Sequence, residues 1–224
     1  MKIGNVFKKL IIEDFNKPID EDYPLSFSFD EFKKLTSFRS RMDYCRTHLK
    51  TLGAGSSRIV YLVDDEKVLK LAKNAKGLAQ NEVEISYSDD NYTADIMGKI
   101  YDYDENNLWL EMQLAKPLTA RLFKEIVGFD FKLYSDAIAK FTIGNNPQKY
   151  RGYQAPRVSD EVMDAMWENE FISLMFNYIG TYDTPYGDLV RLSTYGVVEE
   201  NGVKSVVMID YGLNDDVHVN YYSK

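Results

Sequence analysis

The chain has 224 residues, of which 45% are hydrophobic and 28% are charged, with a formal net charge of −8. This composition is typical of a globular domain and excludes a fibre or a disordered tail, and the acidic balance argues against a nucleic-acid partner. No apolar run reaches the roughly 20 residues of a membrane span, no segment resembles a secretion signal, and the single cysteine, Cys45, favours a reducing, cytoplasmic compartment.

Residues 1–46 predict a helical N-terminal extension. Two amphipathic segments are separated by Pro18 and Pro24, and Ser28 is a suitable N-cap for the second helix. The extension carries many large apolar side chains. We therefore expect it to pack on the rest of the chain, because a solvated tail contains few such residues.

Residues 47–114 predict a small α+β domain. Three β-branched and aromatic runs are joined by the short turns GAGS and DDE, which favours antiparallel strands. A helix is predicted from about Lys76 to Ser88, and two further strand-like runs, KIYDY and LWLEMQL, follow it.

Residues 115–224 predict a mainly helical domain that ends in a hairpin. One helical region is interrupted at Gly128, and a second begins at the N-cap Ser159 and ends at Gly180. Asn201-Gly202 lies between valine-rich runs, which is a strong signal for a two-residue β-hairpin turn.

The small domain carries two features that can bind phosphates. The GAGS loop, starting at Gly53, offers backbone amides without bulky side chains, although a flexible turn is the simpler interpretation. Lys70 lies in an apolar strand, and Glu82 shares a helix face with Leu78 and Ile85. A carboxylate on an apolar face is costly to bury without a cation. The pattern therefore predicts a pair between Lys70 and Glu82, rather than Glu84, which points to a different side of the helix.

The hairpin brings two carboxylates together. Asp188 precedes its first strand and Asp210 follows its second strand, and both ends of an antiparallel hairpin lie at the same side. Such a pair suits proton acceptance and Mg²⁺ binding. The alternative is that each aspartate only caps its own turn.

Taken together, the order of these motifs resembles the protein-kinase-like superfamily over roughly residues 47–215. The motifs that carry the resemblance are GAGSSRIVY, VLK, NEVEI, LWLEMQLAKP, GDL and DYG. The first of them, continued to GLAQNE, looks most like small kinase-like proteins encoded by bacteriophages. The resemblance implies an α+β, two-lobed kinase-like fold, in which 47–114 is the N-lobe, 115–224 is a reduced C-lobe and 1–46 is an extension.

The resemblance also implies a site for ATP. Lys70, positioned by Glu82, would hold the α- and β-phosphates. The remaining nucleotide-binding residues would be Gly53, Gly55, and the backbone of Ser56 and Ser57 over the phosphates. Glu111 and Gln113, with their backbone in the connector between the lobes, would face the adenine.

In the C-lobe, the resemblance implies that Asp188 is the catalytic base and that Asp210 binds Mg²⁺. Ser193 stands at the second metal-binding position, where an asparagine is expected. Arg58 replaces the third glycine of the loop, which is expected to tighten or occlude it. The sequence after DYG is too short for an activation segment, so the acceptor is expected to be recognised elsewhere.

These features favour a Mg²⁺-ATP-dependent phosphotransferase that acts on an unidentified protein or small-molecule acceptor. The departures favour a second interpretation, a catalytically inactive pseudokinase that binds a nucleotide or a partner, as a virion or host-interaction protein. A third interpretation is transfer of AMP instead of phosphate.

Overall fold

The computed structural model describes residues 27–88, 93–182 and 184–222. They belong to two compact units. The first unit extends to Ile85 and resumes over Lys99–Leu114, and the second contains Ser86–Gly98 and the chain from Ala115 onward. The predicted helix within the first 26 residues lies outside the described residues.

The first unit begins with two short helices, α1 (Phe29–Lys33) and α2 (Phe38–His48). The sequence predicted one helix here. The structure divides it because Ser37 acts as a second N-cap, accepting a hydrogen bond from the Ser40 amide after Ser28 has capped α1.

A five-stranded antiparallel sheet and one long helix, α3 (Ala75–Ser88), follow. The strands are β1 (Lys50–Ala54), β2 (Arg58–Leu62), β3 (Lys67–Ala72), β4 (Ile100–Tyr103) and β5 (Trp109–Gln113). They are arranged in the order β1-β2-β3-β5-β4, with α3 inserted in the chain between β3 and β4. This is the strand–helix–strand arrangement that the sequence predicts.

One face of this sheet carries the hydrophobic core of the first unit. This face is covered by α1 and α2 and forms an apolar core, in which Phe32 packs on Trp109 with ring centroids 5.6 Å apart. The buried members of this core are Phe32, Cys45, Leu49, Ile59, Tyr61, Leu69, Leu71 and Trp109. The described part of the N-terminal extension therefore completes the hydrophobic core of the first unit.

The second unit is mainly helical. Its helices are α4 (Ala120–Val127), α5 (Phe131–Asn145), α6 (Asp160–Trp167), α7 (Glu170–Thr181), α8 (Tyr186–Leu189) and α9 (Asp215–Tyr221), with single 3-10 turns at Ala94–Ile96 and Leu192–Thr194. As predicted, α4 ends at Gly128, which has a left-handed backbone (φ 89°). The predicted helix from Ser159 to Gly180 is divided, because Asn169 caps α7.

A three-stranded antiparallel sheet completes this unit, with strands β6 (Lys116–Pro117), β7 (Tyr195–Glu200) and β8 (Val203–Met208). β7 and β8 form the predicted hairpin. Its turn has positive φ at both central residues, 53° at Asn201 and 79° at Gly202, as a two-residue turn with the strand twist requires. The α+β class is confirmed.

Within the three described ranges, none of the helices is both long enough and apolar enough to cross a membrane.

Candidate functional site

The glycine loop is a tight, anchored turn. The Gly55 amide donates to the Arg58 carbonyl at 2.8 Å, which closes the turn between β1 and β2. The loop carbonyls are held by the segment before α3. Lys73 Nζ donates a hydrogen bond to the Gly55 carbonyl oxygen at 2.9 Å, and Asn74 Nδ2 donates one to the Ser56 carbonyl oxygen at 3.0 Å. The carbonyl oxygens of Gly55 and Ser56 therefore face the segment before α3, which fixes the path of the loop.

Ser57 connects the same loop to the sheet-facing side of α3. Its carbonyl accepts a bond from the Lys73 amide at 2.8 Å, and its hydroxyl donates to Gln80 Oε1 at 2.6 Å. Gly77 permits this approach, because a Cβ at that position would lie 2.3 Å from the Ser57 carbonyl oxygen. Ser57 is therefore a buried anchor, and Gly53, Gly55 and Ser56 form the more accessible part of the loop.

Lys70 forms the buried ion pair expected of a phosphate-binding lysine, but its partner is Glu84. The Nζ atom of Lys70 lies 2.7 Å from Glu84 Oε2, and the two side chains are 6% and 0% exposed. Glu82 is exposed, whereas Val83 is buried. The predicted role of Glu82 is therefore wrong.

The physical reason is that the buried face of α3 toward the sheet is polar. This face consists of Gly77, Gln80, Asn81 and Glu84, which have helical spacing. The polar side chains of the last three are buried and hydrogen-bonded. A search for an apolar stripe selects Leu78, which is only half-buried. The spacing of Gly77, Asn81 and Glu84 along one face is the sequence signal that would have identified this side.

Arg58 is the second cation on Glu84. Its Nη1 lies 2.9 Å from Oε2 and its Nη2 donates to Oε1 at 3.0 Å. Burial by itself would raise the pKa of Glu84, but the charges and hydrogen bonds of Arg58 and Lys70 outweigh it and hold that pKa below its ordinary value. Arg58 therefore directs its guanidinium group toward Glu84 of α3, and the expectation that this residue tightens or occludes the glycine loop stays a prediction.

The side chains of Glu111 and Gln113 do not lie on the Lys70 face of the sheet. Lys70 is opposite Leu110, whereas Glu111 is opposite Leu69, so the alternation of a strand directs Glu111 and Gln113 to the face that α1 and α2 cover. There Lys67 Nζ lies 2.8 Å from Glu111 Oε1. These side chains are therefore directed away from the Lys70 face, and the adenine contact of Glu111 and Gln113 through their backbone stays a prediction.

In the second unit, Asp188 lies in the short helix α8 beside Arg191, whose Nη1 is 2.9 Å from Asp188 Oδ1. Burial raises the pKa of Asp188, and Asp210 raises it further, whereas Arg191 and His218 act in the opposite direction. Asp210 thus lies near enough to Asp188 for their charges to interact.

Two consecutive residues fix the backbone of α8. The Thr194 hydroxyl donates to the Asp188 carbonyl at 2.6 Å, and the Tyr195 hydroxyl donates to the Leu189 carbonyl at 2.7 Å. Tyr195 is hydrogen-bonded in turn to Tyr134, with 2.7 Å between the hydroxyl oxygens. Thr194 and Tyr195 each bind a carbonyl six residues earlier, a spacing that corresponds to no helix or strand period, and they are not among the predicted site residues.

The carboxylates of the second unit provide hard oxygen ligands of the kind that Mg²⁺ prefers. Within the described residues, no three His, Cys, Asp or Glu side chains are grouped as a complete metal site. Mg²⁺ in phosphotransfer sites is commonly held by one or two carboxylates together with substrate phosphates, so Asp188 and Asp210 fit this requirement. Ser193 lies exposed on the 3-10 turn, and its metal role stays a prediction.

The sequence matches no family model and no curated protein. Among solved structures, the chain is similar to the ternary complex of APH(2")-IIa with streptomycin and ATP, with 11% sequence identity and a TM-score of 0.32. The similarity covers 80% of this chain and 71% of that chain. At this identity and TM-score it does not support an assignment of function.

Proposed function

We propose that this chain is a kinase-like phosphotransferase that uses ATP and Mg²⁺. The observation that carries the proposal is the buried ion pair between Lys70 and Glu84, with a distance of 2.7 Å. A lysine that is 5% exposed on a sheet is rare unless it is paired, and perturbed buried charges are concentrated at functional sites. The same carboxylate binds Arg58, the first residue after the glycine loop. Lys70 would bind the phosphates of ATP.

Asp188 is the proposed catalytic base. In this reaction, the acceptor hydroxyl gives its proton to the Asp188 carboxylate, and its oxygen forms a bond to the γ-phosphorus. The bond from that phosphorus to the oxygen bridging the β- and γ-phosphates breaks, and ADP leaves. The raised pKa of Asp188 suits proton acceptance, because a stronger base takes the proton more readily.

Asp210 is the proposed principal Mg²⁺ ligand. It follows β8 directly after Ile209, and it lies near enough to Asp188 to affect the pKa of that residue. When bound, Mg²⁺ would neutralise charge on the phosphate oxygens. Ser193 would contribute a neutral hydroxyl where a second metal ion is expected.

The pseudokinase is the second candidate. The observation that favours it is the serine at position 193, because a hydroxyl is a weaker metal ligand than the side-chain oxygen of the expected asparagine. Such a protein would bind a nucleotide or a protein partner, in a virion or a host cell, without transferring phosphate. Transfer of AMP is the third candidate. The relation to bacteriophage proteins and the cytoplasmic location stay predictions.

Thermal unfolding with and without Mg²⁺-ATP, followed by an assay of ATP consumption, tests the proposal. A ligand at 100 times its Kd stabilises the native state by about 2.7 kcal/mol. We expect Asp210→Asn to lose both this stabilisation and turnover, and Asp188→Asn to lose turnover alone. ATP binding without consumption would support the pseudokinase, release of pyrophosphate would support AMP transfer, and no stabilisation of the wild type would contradict the proposed function.

A further inference from the structure

Arg58 occupies an unusual position for a buried arginine. It is the first residue of β2, directly after the glycine loop, and it is 8% exposed. Arg58 and Lys70 lie on the same face of the sheet, because Val60, two residues after Arg58, is opposite Lys70. Two neighbouring strands thus direct two cations at one carboxylate from α3.

The two cations hold Glu84 in different ways. Arg58 contacts both carboxylate oxygens, at 2.9 and 3.0 Å, whereas the contact of Lys70 is to Oε2 at 2.7 Å. A guanidinium fork fixes both the position and the orientation of a carboxylate, whereas an ammonium group acts as a point charge. The fork is itself oriented, since Nη1 also donates to Asn81 Oδ1 at 3.3 Å and Asn81 Nδ2 donates to the Asn107 carbonyl at 2.9 Å.

This arrangement matters when Lys70 contacts a phosphate. The ammonium group then divides its hydrogen bonds between the phosphate oxygens and Glu84, which is 0% exposed. A fully buried carboxylate that loses part of its compensation is strongly unfavourable. Because Arg58 keeps its two contacts, Glu84 does not have to move toward solvent when Lys70 shifts.

We propose that Arg58 is a positioning residue that holds Glu84, and with it α3, in place while Lys70 contacts the phosphates of the nucleotide. The nucleotide part rests on the proposed function. The structural part predicts that Arg58 and Lys70 are redundant partners of Glu84, so that either one alone retains it.

The structural part is tested by thermal unfolding of Lys70→Met, Arg58→Gln and the double variant, without nucleotide. Because either cation alone retains Glu84, we expect the fall in Tm of the double variant to exceed the sum of the single falls. Arg41→Gln is the matched control. Arg41 is 3% exposed and lies 3.5 Å from Asp104 in the same unit, so its combination with Lys70→Met is expected to be additive.

If the double variant does not fold, Glu84→Gln is added to it. This third change removes the buried carboxylate that has lost both cations, so folding is expected to recover. Additive falls in Tm, or a triple variant that also fails to fold, would overturn the redundancy of Arg58 and Lys70.

The nucleotide part is tested by titration of each folded variant with Mg²⁺-ATP. We expect Arg58→Gln to weaken ATP binding on the order of tenfold, within the usual range of coupling through an intermediate group. Arg58→Lys keeps the charge but loses the two-point contact with Glu84, so it is expected to recover only part of the affinity. Arg41→Gln is expected to bind as the wild type does. Unchanged affinity in Arg58→Gln would overturn this part. Absence of ATP binding to the wild type would overturn it together with the proposed function, whereas the unfolding experiment decides the structural part independently.

Discussion

The hydroxyl of Thr194 donates a 2.6 Å hydrogen bond to the carbonyl oxygen of Asp188. The carbonyl of the same threonine accepts a bond from the Ile209 amide at 2.8 Å, one residue before Asp210. Thr194, which is 4% exposed, therefore connects the backbone of the proposed base to the end of the strand that carries the proposed metal ligand.

Thr194→Val removes this hydroxyl with little change in shape. The Asp188 carbonyl keeps the bond from the Arg191 amide, so the loss of stability should be only about 0.5–1.5 kcal/mol. We expect a lower kcat with nearly unchanged affinity for ATP, because the base is displaced. Thr142→Val is the control: Thr142 is equally buried and donates to the Ile138 carbonyl at 2.8 Å. Equal effects on kcat in both variants would contradict the positioning role.

Glu84→Gln should be strongly destabilising. The change leaves Arg58 and Lys70 without their shared carboxylate, and loss of one member of a buried ion pair costs about 3–5 kcal/mol. The control is Glu82→Gln, two residues earlier on the exposed side of the same helix, which should change the free energy of unfolding by less than about 0.5 kcal/mol. Urea denaturation measures both, and a reversed order would contradict the assignment of Glu84.

The stability of the protein should depend on pH through Asp188. The pKa of this carboxyl is raised in the folded state, chiefly by burial. Its contribution to stability is therefore complete below the ordinary aspartate pKa, about 3.9, and is lost as the pH rises through the raised value. Asp188→Asn cannot ionise, so we expect it to be more stable than the wild type at neutral pH.

Unfolding measured over a pH series checks this sign. The advantage of Asp188→Asn should shrink as the pH falls toward about 4. Arg191→Gln should enlarge it, because it removes a cation that opposes the pKa increase. An advantage that grows on acidification would show that ionised Asp188 stabilises the fold.

Gly77→Ala should separate α3 from the glycine loop. The added Cβ would lie 2.3 Å from the Ser57 carbonyl and 3.0 Å from Ala72, both backbone contacts that cannot rotate away. Overpacking of this kind costs about 1–3 kcal/mol. Gly144→Ala, also in a helix but with nothing within 4 Å of the new Cβ, should instead gain about 0.5–1 kcal/mol. Thermal melting distinguishes the two, and a neutral Gly77→Ala would mean that the loop adjusts without cost.

The sequence predicts best where the determinants are local. Asn201-Gly202 specifies the hairpin through turn chemistry alone, and Gly128 ends α4 through its left-handed backbone. In these cases the relevant neighbours are close in sequence or fixed by the strand period.

The sequence predicts poorly where burial is polar or where two faces of one strand must be told apart. The apolar pattern favours Glu82 over Glu84, because the helix face that carries Glu84 is held by hydrogen bonds rather than by apolar contacts. The side chain of Glu111 lies on the face that α1 and α2 cover, because its register places it opposite Leu69. That register depends on pairing between strands distant in sequence, which local patterns do not encode.

Calorimetric titration of the wild type and Lys70→Met with Mg²⁺-ATP tests the central claim most directly. Arg58 still holds Glu84 in this variant, so the variant is expected to remain folded while it lacks the ammonium group that is proposed to contact the phosphates. We predict saturable binding of one ATP to the wild type and a loss of at least about tenfold in affinity, roughly 1.4 kcal/mol, in Lys70→Met. No binding to the wild type, or equal affinity in a folded Lys70→Met, would contradict the proposal that this chain is an ATP-dependent phosphotransferase.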